Sequence, residues 1–149
     1  FDRFNRLSFE EGTPDSKVTA SVDWSLPLGG MNFGVNLKGT RYGEVVEPGL
    51  PSPAEINAGL LDARDLHIQP DWVVDLAFDV KLMEEKLGFK IGADNLFDQY
   101  PDRVPIARVV PPPVGGIANL NGTNALGFSR YSPYGFNGRF VYARLNFRW

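Results

Sequence analysis

RFVYARLNFRW, residues 139–149, alternates without a break: Val141, Ala143, Leu145, Phe147 and Trp149 are apolar, with Tyr142, Arg144, Asn146 and Arg148 between them. A period of two sends successive side chains to opposite faces of a strand, so the apolar positions share one side. A helix would gather Phe140, Ala143 and Phe147 but scatter Val141, Leu145 and Trp149 around its cylinder. The stretch predicts a strand with one greasy face and one charged face.

Four earlier segments repeat the pattern, and strands are expected over about 17–26, 31–42, 71–82, 87–97 and 139–149. Their apolar stripes are Val18, Ala20, Val22 and Trp24; Phe33, Val35 and Leu37; Trp72, Val74, Leu76, Phe78 and Val80; and Phe89 with Ile91. The opposite stripes carry Lys17, Asp23, Lys38, Asp75, Asp79, Lys81, Lys90, Asp94, Arg144 and Arg148. Turn-sized links, PLGG (27–30) and MEEK (83–86), join the first and second and the third and fourth strands as hairpins. Long connections, about 43–70 and 98–138, separate the remaining pairs. Within the first, SPAE (52–55) reads as a capping box that opens a short helix through Leu61.

Composition narrows the function classes. A net charge of -3 and a pI near 5.1 give no basic face for nucleic acid. The absence of cysteine excludes disulfides and thiol chemistry. The single histidine, His67, reads as a loop residue, and no metal or cofactor site is expected. No run approaches the roughly 18 apolar residues of a spanning helix, and FDRFNRLSFEEG at the start contains no signal-peptide core. The opening on Phe1 suggests a piece of a longer chain. NGT (121–123) and PPP (111–113) read as a turn and a stiff loop.

Two architectures produce alternating strands. A soluble sandwich buries the apolar face against a second sheet, whereas an outer-membrane barrel turns that face to lipid and the polar face to its lumen. Three features favour the barrel: long strands suited to a tilted crossing, short links at one edge with long loops at the other, and aromatic residues near strand ends. Slipping the last strand by one residue would turn Arg144 and Arg148 outward at roughly 2 to 4 kcal/mol each at the bilayer midplane. Five strands do not close a barrel, so the expectation is an all-β, antiparallel transmembrane β-barrel sector that needs further strands.

DNLFDQYPDR (94–103) resembles the N-L-F-D-x-x-Y box that ends the penultimate strand of TonB-dependent outer-membrane receptors. YSPYGFNGRFVYARLNFRW (131–149) resembles their final strand with its terminal aromatic, and TRYGEV (40–45) and DWVVDLAFDV (71–80) resemble other strands of that family. The resemblance implies the last five strands of a barrel of about 22, plugged by an N-terminal domain, that imports ferric siderophores or other scarce solutes with energy relayed by TonB. It implies outer-membrane lipid, the plug, the TonB system, the outer-membrane assembly machinery and an imported small molecule as partners. No plug and no TonB-contact segment lie in these residues.

The apolar stripes are then expected to face lipid and the charged stripes the lumen, where they hydrate the interior or hold a plug. Asp75 and Asp79 share a face but read as solvated wall, and no catalytic residue is assigned. Ligand contact is expected from loops, with Arg108, Arg130, Tyr131 and Tyr134 supplying cationic and aromatic groups for an anionic or aromatic chelate. The alternative reading is a soluble secreted β-sandwich that binds carbohydrate or a protein partner.

Overall fold

A computed structural model describes residues 2–104 and 127–149, and these divide into two compact units. The second unit, residues 18–41, 72–100 and 137–149, is the sheet. Its strands are β1 (Lys17–Leu28), β2 (Met31–Tyr42), β5 (Asp71–Leu82), β6 (Leu87–Asp94) and β7 (Phe140–Phe147). They lie side by side in chain order, β1-β2-β5-β6-β7. Thr19 meets Thr40 while Asp23 meets Asn36, so partner numbers fall on β2 as they rise on β1, which only an antiparallel pair allows. The β5–β6 and β6–β7 pairs are antiparallel too.

The expected boundaries need three adjustments. β1 runs two residues further, to Leu28, because the turn itself is Gly29-Gly30, both at positive φ where only glycine is unstrained. β6 stops at Asp94 rather than 97, since Asn95 and Asp98 adopt left-handed backbone and carry the chain out of the ladder. β7 begins at Phe140 and ends at Phe147.

Register aligns the stripes. Leu76, Phe78, Val80 and Leu82 of β5 stand opposite Ala93, Ile91, Phe89 and Leu87 of β6. Those four in turn face Val141, Ala143, Leu145 and Phe147 of β7. A slip of one residue would place each of them beside a polar neighbour, so the alternation fixes the pairing. The resulting apolar face is open: Trp72 is 49% exposed, Phe78 48% and Leu145 69%. No sheet among the described residues closes on itself, and no described helix is long and apolar enough to cross a membrane.

The other unit comprises residues 2–17, 42–71, 101–104 and 127–136. It contains α1 (Arg3–Glu10), β3 (Val45–Glu47), α2 (Pro53–Asn57) and β4 (Leu66–Ile68). β3 and β4 form an antiparallel ribbon, Val45 opposite Ile68 and Glu47 opposite Leu66. Here the first long connection, expected to be irregular apart from one helix, proves to be ordered structure with a core. Val45, Leu66, Ile68 and Val104 bury one another, and Tyr131 packs against them. Of the buried apolar residues, Ala77 alone belongs to the sheet.

Local rules explain these elements. Asp2 caps α1 by accepting the Asn5 amide at 2.8 Å. Arg3 then forks onto the buried carboxylate of Asp65, which also accepts the Gly49 amide at 2.9 Å. Ser52 and Glu55 complete the expected capping box around α2. The helix ends at Asn57, short of Leu61, because Gly59 takes φ +74°. The amides of Gly59 and Leu60 return to the carbonyls of Ile56 and Glu55, a pairing that closes a helix end.

Candidate functional site

The polar face of the sheet carries every residue expected to face a lumen from β2, β5, β6 and β7. Asp75 accepts both the Lys38 ammonium at 2.8 Å and the Asn95 amide at 3.0 Å. Asp79 stands opposite Lys90, and Lys90 opposite Arg144. Asp23 accepts the Asn36 amide nitrogen at 2.6 Å, and Lys81 reaches Glu85 at 3.5 Å in the adjoining turn. Lys17, at the start of β1, lies 5.1 Å over the Tyr42 ring, a cation–π contact within the other unit. Asp75 and Asp79 therefore have different neighbours and do not share a proton or a ligand.

The DNLFDQY stretch (94–100) and the Gly138-Arg139 pair, separate in sequence, meet at one end of β6 and β7. The Leu96 amide donates to the Val74 carbonyl at 2.7 Å, anchoring the segment to β5. Asn95 clamps the turn, its side chain bonding the carbonyl and the amide of Gln99 at 2.7 and 2.8 Å. Asp98 accepts the Arg139 amide at 2.7 Å, and the Arg139 guanidinium reaches the Leu96 carbonyl at 3.2 Å. Gly138, at φ +69°, lies so close to the Tyr100 hydroxyl that a Cβ there would collide with it. Each polar position of the box thus has a physical task at the β6–β7 junction.

The loop residues expected to contact a ligand are only partly assembled. Arg108 lies outside the described residues. Arg130 and Tyr131 come together, the guanidinium 5.4 Å from the ring centre, and line a cleft of about 340 Å³ with Gly12, Thr13, Pro14 and Ser132. The Tyr131 hydroxyl is within 3.1 Å of Ser8 Oγ, and its amide donates to Ser129 Oγ at 2.9 Å. One edge of the ring therefore serves the core while Arg130 stays exposed.

Tyr134 is held elsewhere in the same unit. Its hydroxyl donates to Asp71 at 3.0 Å and its ring packs on Tyr42 at 5.5 Å. Burial, and then the Asp71 carboxylate, push its phenol well above the usual range, so it stays a donor rather than an anion. Sequence patterning missed residues 12–14 as cleft lining, because an isolated Gly-Thr-Pro carries no period. His67, read as a loop residue, stands in β4, exposed, with Nδ1 2.6 Å from Glu44.

Among the described residues no group of His, Cys, Asp and Glu side chains has the makings of a metal site. No family model, no curated protein and no solved structure matches the chain.

Proposed function

We propose that these residues form a sector of the wall of an outer-membrane β-barrel of the TonB-dependent receptor type, which imports a scarce solute such as a ferric siderophore. The observation that carries the reading is the shared register of the apolar stripes across β5, β6 and β7, which builds one continuous open face. Moving each large side chain of that face out of water is worth about 1.5 to 3 kcal/mol, so the face needs a covering. Hydrocarbon supplies it without a second sheet.

The soluble sandwich needs such a sheet. Among the described residues the only other one is the β3–β4 ribbon, three residues per strand, too small to cover faces of eight to twelve residues. The wiring also supports a barrel. Both hairpins turn at one edge of the sheet, and from the opposite edge the chain departs into its long connections.

In this reading β1, β2, β5, β6 and β7 supply wall, the unit built around Val45 and Ile68 belongs to the loop side, and the Arg130–Tyr131 cleft offers a cationic and aromatic surface to an anionic chelate. The motif contacts of Asn95, Asp98 and Arg139 give the resemblance a structural rationale. Brominated lipids test the membrane placement. Trp24, Trp72 and Trp149 are expected to lose fluorescence when the folded protein is reconstituted in bilayers carrying bromine on the acyl chains. Unchanged emission from all three would remove the reading.

A further inference from the structure

Lys90 of β6 and Arg144 of β7 are direct register partners on the polar face. Like charges placed opposite each other weaken a strand pair, so a sheet that keeps them has another reason to do so. Among the described residues no salt bridge or side-chain hydrogen bond engages Lys90 or Arg144, nor Lys86 or Arg148 close by. With Lys81 and Glu85 paired, Asp79 alone is left to balance these four cations along this part of the face.

The same residues surround a recess of about 730 Å³, lined by Asp79, Lys81, Lys86, Lys90 and Arg148 over a floor at Gly88. Gly88 stands between Lys81 on β5 and Asn146 on β7. A Cβ at Gly88 would meet nothing nearer than Asn146 at 3.8 Å, so the floor is open.

We propose that this recess binds an extended, acidic polypeptide segment whose carboxylates meet Lys90, Arg144 and Arg148. Arg144 and Arg148 are four residues apart, roughly 13 Å along a strand at about 3.3 Å per residue. One phosphate or one carboxylate cannot touch both. An extended segment lying along β7 presents a side chain on one face about every 7 Å, which matches the spread of the cations. An anionic lipid is disfavoured because its acyl chains need the apolar face, and the cations are on the other. The inference rests on the proposed reading in one respect, that the polar face is the wet one.

The test uses the whole chain folded in zwitterionic nanodiscs and a short fluorescent peptide alternating Asp and Ser, with an Asn–Ser peptide as control. Binding to the acidic peptide alone is expected, weakened about tenfold in a Lys90→Gln, Arg148→Gln double variant. Arg144→Glu separates site from scaffold. It relieves the repulsion, so the thermal midpoint should rise while peptide binding falls. Should that variant fail to assemble, Lys86→Gln in the exposed turn gives the same loss of affinity on an unaltered ladder.

Equal affinity for wild type and variants, or for both peptides, overturns the proposal. So does inorganic phosphate binding as tightly as the acidic peptide, or added anionic lipid displacing the peptide. Tryptophan quenching by brominated lipid without peptide binding removes this inference and leaves the membrane reading intact. Peptide binding without quenching does the reverse.

Discussion

The carboxylate of Asp98 accepts the backbone N–H of Arg139 at 2.7 Å, joining two segments 41 residues apart in the chain. The bond satisfies an amide just before β7, where the ladder has not yet begun. Replacing Asp98 by Ala is expected to cost about 1 to 3 kcal/mol, the range for losing a hydrogen bond to a charged partner. Gly138→Ala should cost about as much, because the new methyl meets the Tyr100 hydroxyl on a backbone at φ +69°. Denaturant midpoints of the two variants, and of Asp98→Asn as the milder change, measure both effects.

Leu145 and Asn146 are neighbours in the chain and lie on opposite faces of β7. If lipid covers the apolar face, Leu145→Arg costs about 2 to 4 kcal/mol near the bilayer midplane, while Asn146→Arg costs little. Equilibrium unfolding from bilayers should therefore separate the two substitutions sharply. Equal, small effects would mean that water reaches both faces.

Asp65 joins three segments, taking the Arg3 guanidinium and the Gly49 amide while only 7% exposed. Its carboxylate also holds the Arg3 guanidinium above its ordinary pKa through their hydrogen bond. Asp65→Ala leaves an amide and a half-buried cation without their partner, and a loss of about 3 kcal/mol is expected. Proteolysis of the N-terminal helix should quicken in step, a readout specific to α1.

Glu55 carries a pH dependence of definite sign. The Ser52 amide, then the Ser52 hydroxyl, and then Arg64 hold its carboxylate below its ordinary value of 4.5. A depressed folded pKa means that the ionised box stabilises α2 above the ordinary value and loses that contribution as pH falls through the lowered one. Amide exchange at Glu55 to Leu60 should accelerate in that acid window. Glu55→Gln should exchange faster at neutral pH and lose most of the acid dependence.

The sheet was readable because its alternation is a local signal: every side chain of DWVVDLAFDVKL announces its face within two residues. The capping box at Ser52 and Glu55 was readable for the same reason. The core of the insertion was not. Val45, Leu66, Ile68 and Val104 come from three short pieces, each too brief to show a period, and only tertiary contact marks them as buried. α1 was missed because FDRFNRLSFE has no apolar stripe of its own and is fixed by the Asp2 cap and by Arg3 reaching Asp65. Of the candidate ligand residues, Arg130 and Tyr131 adjoin in sequence and in space. The tie of Tyr134 to Asp71 spans 63 positions and could not be read locally.

Ser8 and Tyr131 stand within 3.1 Å although 123 positions part them. Closing so wide a loop draws heavily on chain entropy, yet that toll grows only with the logarithm of length. Once the small aqueous nucleus around Ile68 has set, every strand between its pieces searches a confined volume instead of a free one. The insertions thereby do for the strands what a short tether does for two binding modules: they raise the local concentration of one against the next.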